Sequence, residues 1–172
     1  MSVKKILIEP NKILRQISEP IEGVGIEEQK LMNDMLDTMY AANGIGLAAI
    51  QIGIPKRIIV MDISKNENKK EPIYFVNPVV KNKNSKKAIY EEGCLSVPGQ
   101  FAEIERPNTC DVEYLDYEGK KKLLKADGLL ATCIQHEMDH LEGILFIDYL
   151  SKLKKSMIIK KLSKIRVNRE IL

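Results

Sequence analysis

The stretch GLLATCIQHEMDHL, residues 128–141, is predicted to form the helix around which the rest of the chain packs. Asp127 is a suitable N-cap before it, and Gly143 can stop it after the last turn. Within this helix the pattern His-Glu-x-x-His places His136 and His140 one turn apart on one face. Their Cα atoms are separated by about 6 Å along the axis, so both imidazole rings can reach one ion. The helix therefore predicts a metal site.

The composition of this motif narrows the choice of ligands. Glu137 can stand beside the ion without binding it. The alternative is that His136 and His140 are surface residues that happen to lie four positions apart. They are, however, the only two histidines in the 172 residues, and both fall in the motif. The same count excludes a three-histidine site. Among the downstream carboxylates, Glu142 is too close along the helix and Glu170 lies almost at the end of the chain. Cysteine is the remaining good donor, because thiolate and imidazole together suit zinc or ferrous iron.

The three cysteines differ in their surroundings. Cys133 lies about 10 Å along the helix axis from His140, so it is expected to line a pocket. Cys110 falls in a predicted strand and is expected to be a small core residue. Cys94 lies in EEGCLSVP, residues 91–98, where a glycine permits close backbone approach and a proline marks an irregular turn. Elimination favours Cys94 as the third ligand, and a buried cysteine at a strand end is the alternative.

Length and periodicity predict a single domain covering residues 1–172. The order is a helix, several strands, a second helix and a third, which indicates an α+β domain with mostly antiparallel strands packed around the second helix. The predicted helices cover residues 26–42, 128–141 and 151–169; the predicted strands cover residues 57–62, 73–80, 101–105, 111–116 and 120–125; and residues 81–87 are predicted to be a loop.

Composition and charge bound the class of protein. With 44% hydrophobic and 30% charged residues, no secretory signal and few cysteines, the chain is expected to be cytoplasmic, without a membrane segment. Residues 151–172 hold eight Lys or Arg against one acid, so the last helix is basic and suggests an anionic partner, although a solvated helix face is the commoner explanation. Its apolar stripe favours packing on the body of the protein. The stripe comprises Leu150, Leu153, Met157, Ile158, Leu162 and Ile165.

The segment GIGLAAIQ, residues 44–51, contains a Gly-x-Gly-x-x-Ala pattern. A dinucleotide-binding turn follows a strand and opens a helix, whereas this segment follows a helix and leads towards a strand. It is therefore expected to form a wall of a substrate site, and no dinucleotide cofactor is expected.

Three segments together, GIGLAAIQ at 44–51, EGCLS at 92–96 and QHEMDH at 135–140, resemble the three signature motifs of peptide deformylases. The resemblance implies that Cys94, His136 and His140 bind one divalent metal ion, most often Fe²⁺, with Zn²⁺, Ni²⁺ or Co²⁺ able to substitute. It also implies hydrolysis of the formyl group from the N-terminal formylmethionine of newly made proteins, with release of formate. The basic last helix resembles the element by which bacterial members approach the ribosome.

The same resemblance implies roles for the other residues of the site. Glu137 acts as general base and then as general acid. The side-chain amide of Gln51 and the backbone N–H of Leu95 meet the oxyanion that develops. The residues implied in substrate binding are Ile45, Gly46, Tyr90, Glu92, Gly93, Leu129, Thr132 and Cys133.

Three rival interpretations remain from the residues alone. The nearest is a zinc metalloprotease of the His-Glu-x-x-His type with a carboxylate as third ligand. The second is a binding protein with a structural metal, for which Glu137 would have no use. The third is an amidase with Cys94 as nucleophile. A further hypothesis is that an ion pair between Arg106 and Asp139 braces the metal-bearing helix.

Overall fold

A computed structural model of the chain describes residues 2–64 and 69–170, with side chains through residue 164. The described residues form three helices and seven strands, in the α+β arrangement that the sequence predicts. The helices are α1 (Ile26–Ala41), α2 (Gly128–Leu141) and α3 (Lys152–Glu170), and three short 3₁₀ helices cover Lys12–Arg15, Ala49–Ile52 and Phe146–Tyr149. The strands are β1 (Gly46–Ala48), β2 (Ile58–Met61), β3 (Ile73–Lys81), β4 (Lys87–Cys94), β5 (Val97–Pro107), β6 (Thr109–Leu115) and β7 (Lys121–Asp127).

Two antiparallel sheets surround helix α2. The larger has the order β1-β2-β3-β6-β7, and the smaller is the hairpin β4–β5. The prediction of mostly antiparallel strands is confirmed. The pairing of β4 with β5 shifts register between Gly93 and Cys94, a bulge that turns the end of β4.

Strand β2 lies at the centre of the core because it is apolar on both faces. Ile59 belongs to the cluster that contains Ile134 of α2, whereas Ile58 belongs to the cluster formed with the methionines of α1. Successive side chains of a strand point to opposite faces, so one strand anchors both helices. Cys110 is buried in the first cluster, as predicted. This packing fixes α2, and with it the two histidines, against the sheet.

The turn after α2 needs a glycine. Gly143 has φ of +71°, and a Cβ at this position would lie 2.6 Å from the carbonyl oxygen of Arg15. The predicted helix stop is therefore confirmed. Asp127 is at the N-cap position as predicted, but its side chain makes no capping hydrogen bond.

The sequence interpretation missed two strands, the three-residue β1 and the eight-residue β4. The outward residues of β4 are mostly charged, and its inward set includes the buried carboxylate of Glu92, so neither face gives an apolar alternation. The loop predicted at residues 81–87 is shorter at both ends, because Lys81 ends β3 and Lys87 begins β4. Strand β5 also begins at Val97, four residues before the predicted start.

Helix α3 packs through a narrower stripe than predicted. Leu162 is buried and Ile158 packs beside it, but Leu153 and Met157 are exposed. One side of α3 contacts β5 and the 3₁₀ helix Phe146–Tyr149, so only that side is removed from water. Ile165 lies outside the part whose side chains are described. None of the helices within the described ranges combines the length and apolar character needed to cross a bilayer.

Candidate metal centre

The three predicted ligands meet at one point between the hairpin and α2. One donor atom each of Cys94, His136 and His140 lies within 4.8 Å of the other two. The Sγ atom of Cys94 is 3.2 Å from Nε2 of His140, and the two imidazole centroids are 5.1 Å apart. Both histidines are buried, whereas Cys94 is half-buried at the wall of a cavity. A thiolate and two imidazoles, held this close and facing a cavity, fit a divalent ion with a free coordination position.

The hydrogen bonds around the histidines prepare them as ligands. Nδ1 of His136 lies 2.8 Å from Oε2 of Glu92. Burial opposes ionisation of Glu92, but hydrogen bonds from His136 and Arg106 hold the pKa of this carboxyl below its ordinary value. Because an ionised carboxylate only accepts, Nδ1 of His136 carries the proton and Nε2 is left as the donor to a metal. Burial holds the pKa of His140 well below its ordinary value, which favours the neutral ligand form.

A buried ionic network extends from Glu92 to the end of α2. The guanidinium of Arg106 donates from Nε and Nη2 to the two oxygens of Glu92, at 2.5 and 3.0 Å. Its Nη1 donates to Asp139 at 2.8 Å, so the predicted ion pair between Arg106 and Asp139 is confirmed. The hydroxyl of Tyr149 donates to the same carboxylate, and its ring lies 5.0 Å from the guanidinium carbon. The chain thus clamps the strand that carries Cys94 to the helix that carries the histidines.

The network gives Glu92 contacts that were not predicted. Sequence interpretation placed this residue among those that bind substrate; it lines the cavity, and both of its carboxylate oxygens are engaged by Arg106 and His136. Glu92 therefore orients His136, one of the three candidate ligands. Its position two residues before Cys94 on a strand is the signal that could have shown this, had β4 been predicted.

Replacing Arg106 with alanine is expected to lower metal affinity about 10- to 100-fold, because residues that orient a ligand histidine typically contribute that much. Removal of one partner from a buried ion pair also costs about 3–5 kcal/mol of stability, so the melting temperature should fall. Metal titration and thermal unfolding measure the two effects.

Lys87→Ala is the matched control for this prediction, because Lys87 pairs with Glu105 on the exposed face of the same hairpin. It should change stability by less than about 1 kcal/mol. If Arg106→Ala does not fold, Glu92→Gln removes the charge while preserving the shape. Metal affinity equal to wild type in either folded variant would show that the network does not brace the site.

Glu137 lies beside the three candidate ligands. It is buried, and its Oε2 atom has no hydrogen-bond partner in the described part of the chain. A Cβ at Gly46 would overlap this carboxylate, so the glycine of the 44–51 segment allows β1 to approach it. Burial and the charge of Glu92 raise the pKa of Glu137 to about 7, although His136 opposes the shift. A bound cation would also oppose it. A carboxyl of this kind can take up and return a proton near neutral pH.

The side chain of Gln51 is fixed at both ends. The backbone N–H of Ala48 donates to Oε1 at 2.8 Å, which turns Nε2 towards the Oγ atom of Ser96 at 3.1 Å and the Sγ atom of Cys94 at 3.6 Å. Ser96 is fully buried, and sequence interpretation gave it no role. The contact between Gln51 and Ser96 joins residues 45 positions apart, so it leaves no local pattern in the sequence. The place of Ser96 in the EGCLS segment was the only signal for it.

All the predicted catalytic and substrate residues line one cavity of about 450 Å³. Leu95 closes one side of it, and a Cβ at Gly44 would come within 2.7 Å of the Leu95 side chain. Cys133 lines the cavity as predicted and does not join the metal group. The other predicted members of the lining are Ile45, Gly46, Gln51, Tyr90, Glu92, Gly93, Leu129, Thr132 and Glu137.

Sequence and structure comparisons relate the chain to proteins of one kind. The family model of polypeptide deformylase matches residues 3–156. The chain is 82% identical over 171 residues to the peptide deformylase of Pelagibacter ubique (strain HTCC1062), covering 99% of each chain. It is 52% identical over 164 residues to that of Rhizobium meliloti (strain 1021), covering 95% of this chain and 94% of the other.

Solved structures agree with these relatives. A crystal structure of peptide deformylase from Ehrlichia chaffeensis has a TM-score of 0.93 at 41% identity, covering 99% of this chain and 100% of that one. Another from Ehrlichia chaffeensis, in complex with actinonin, has a TM-score of 0.90 at 45% identity, covering 95% and 98%.

Proposed function

The chain belongs to the peptide deformylase family, and we propose that Cys94, His136 and His140 hold the metal ion on which its reaction depends. Its activity is hydrolytic removal of the N-formyl group from newly made peptides. One observation supports these ligands above all: the Cys94 sulfur and one nitrogen of each imidazole lie within 4.8 Å of one another. A metalloprotease with a carboxylate as third ligand is not favoured.

The proposed metal is Fe²⁺, with Zn²⁺, Ni²⁺ or Co²⁺ as substitutes. One thiolate and two imidazoles suit all of these ions, and the choice of iron follows the family resemblance. Such an ion, when bound, supplies Lewis-acid polarisation of a carbonyl and increases the acidity of a water molecule.

Glu137 is proposed as the proton carrier of the hydrolysis. Its free Oε2 atom and its raised pKa support a role in which the carboxylate accepts a proton from the attacking water. The protonated carboxyl then delivers this proton to the amine that leaves the formyl carbon. The free peptide amine and formate are the products.

Gln51 and Leu95 are proposed to stabilise the oxyanion of the formyl group. The fixed direction of the Gln51 amide, with Nε2 towards Cys94, supports a preorganised donor, and such a donor typically contributes about 10²- to 10³-fold in rate. The backbone N–H of Leu95, next to Cys94, is proposed as the second donor. The close wall of Gly46, Gln51 and Leu95 would admit formyl and exclude larger acyl groups.

The methionine side chain is proposed to enter the inner part of the cavity. Tyr90, Leu129, Thr132 and Cys133 line the cavity, and the peptide backbone would pair with the edge of β4 near Gly93 and with the backbone near Ile45.

The remaining expectations stay proposals. The chain acts as one catalytic domain over residues 1–172, in the cytoplasm and without a dinucleotide cofactor. The basic residues of α3, which include Lys154, Lys160 and Lys161, support an approach to the ribosome, where nascent peptides emerge.

The proposed function predicts rapid formate release from a formyl-methionyl tripeptide and little cleavage of internal peptide bonds. Acetyl-methionyl peptide of the same sequence should be hydrolysed at least about 100-fold more slowly, since an added methyl group must enter a closed wall. Coupled formate detection and chromatography of the peptides measure both. Internal cleavage exceeding formate release would favour the metalloprotease.

A further inference from the structure

Two backbone N–H groups near the start of the described chain, those of Leu7 and Glu9, contact both sides of the proposed oxyanion site. The first donates to the carbonyl oxygen of Gln51 at 2.7 Å, and the second donates to that of Ser96 at 2.9 Å. Gln51 carries one proposed oxyanion donor, and Ser96 directly follows Leu95, which carries the other. The stretch that contains the two N–H groups, residues 7–9, therefore ties the two donor segments together.

The side chain of Glu9 anchors this stretch to the body of the protein. It is buried, and its Oε1 atom accepts a hydrogen bond from Nη2 of Arg15 at 2.9 Å. Nη1 of Arg15 donates to Asp148 at 2.5 Å, and Asp148 also pairs with Lys155 of α3. The guanidinium thus joins residues 7–9 to the 3₁₀ helix Phe146–Tyr149, which contacts the hairpin β4–β5.

Stability alone gives little reason for a carboxylate at position 9. The adjacent Ile8 already packs on the apolar cluster beneath α3. A largely buried ion pair adds little stability over an apolar pair of similar size, and Oε2 of Glu9 has no hydrogen-bond partner among the described residues. The pair does fix a direction, because the planar guanidinium of Arg15 accepts a carboxylate in few orientations. Glu9 is therefore suited to holding the backbone in one position.

The direction of the Gln51 amide depends on the backbone that Glu9 holds. The backbone N–H of Ala48 fixes Oε1 of Gln51, and the Oγ atom of Ser96 accepts from Nε2. A shift of Ser96 therefore turns the amide that is proposed to meet the oxyanion. A displacement of about 1 Å in such a group can cost about 10²-fold in rate.

We propose that Glu9, through its ion pair with Arg15, is a positioning residue of the hydrolysis, which sets the direction of the Gln51 amide by way of the backbone of residues 7–9. This inference rests on the proposed function. Within the described structure Glu9 does not line the cavity, so its loss should lower kcat and leave KM nearly unchanged.

The test is a double-mutant cycle between Glu9→Ala and Gln51→Ala, with kcat, KM and metal content measured for each protein on a formyl-methionyl tripeptide. Glu9→Ala should lower kcat about tenfold, a part of the 10²- to 10³-fold that the donor itself contributes, with KM and metal content unchanged. In the Gln51→Ala background the same change should alter kcat less than about twofold, because the donor that Glu9 positions is already absent.

Asp34→Ala is the matched control. Asp34 is also a buried carboxylate that holds the beginning of the chain, through Ser2 and Lys4, and its side chain bonds to neither Gln51 nor Ser96 in the described residues. It should lower the melting temperature and leave kcat within about twofold. If Glu9→Ala does not fold, Glu9→Gln keeps the size of the side chain, removes the charge and should lower kcat in the same direction.

Two results would overturn the positioning role. One is a folded Glu9 variant with the wild-type kcat; the other is a loss of kcat that is equally large with and without the Gln51 amide, which would mark a general effect on the fold. Failure of the wild-type protein to release formate would instead contradict the proposed function.

Discussion

Replacing Glu137 with glutamine is expected to lower kcat for formate release by about 10²- to 10⁴-fold while the metal content stays at the wild-type level. Glutamine preserves the size of this buried side chain, and Glu137 is not one of the three grouped donors. The glutamine side chain cannot accept a proton from water. The neighbouring carboxylate of Glu92 cannot replace Glu137 in this role, because Arg106 binds both of its oxygens in the described structure. Metal analysis and steady-state kinetics on one preparation separate the two effects.

Glu142→Gln is the matched control, because Glu142 follows the same helix and pairs with Arg57 at the surface. It should leave kcat within about twofold, as for most surface substitutions. A Glu137→Gln protein with wild-type activity would favour a structural metal and a non-enzymatic role. A variant that loses the metal would show that Glu137 also serves as a ligand.

Replacing Cys94 with serine is expected to lower metal affinity by at least about 100-fold, because loss of a residue that only supports a ligand already costs about 10- to 100-fold. A neutral hydroxyl is a much poorer donor to these ions than a thiolate. Formate release should fall with the metal. The fold should persist, since Cys94 lies at the half-buried end of β4 rather than within the core.

Cys110→Ala is the matched control, because Cys110 is a buried core cysteine outside the metal group. It should retain the metal and most of the activity. Retention of metal by Cys94→Ser would support a carboxylate as third ligand. Retention of metal with loss of activity would support the amidase in which Cys94 is the nucleophile.

Helix α2, with His136 and His140 on one face, could be predicted because its signal is local. Two histidines four residues apart on a helix face one ion whatever surrounds them, and the scarcity of histidine made the cysteine the natural third donor. The position of α2 at the centre of the sheets followed from the order of the elements. These features depend on spacing along the chain, which the sequence contains directly.

The support of the site could not be predicted in the same way. Gln51 meets Ser96, and Arg106 meets Glu92, through contacts between distant parts of the chain that leave no spacing pattern. Glu92 also made strand β4 hard to predict, because a buried carboxylate replaces the apolar residue that an inward position normally carries. Leu153 and Met157 show the converse case, since an apolar stripe indicates which residues can be buried but not how much of the helix a neighbour covers.

The most direct test measures metal content and formate release in the same anaerobic preparations of the wild-type protein, Cys94→Ser and Glu137→Gln. We expect bound metal and activity in the wild type, loss of both in Cys94→Ser, and bound metal without substantial activity in Glu137→Gln. Formate release at the wild-type rate from metal-free Cys94→Ser, or from Glu137→Gln, would contradict the roles proposed for these two residues.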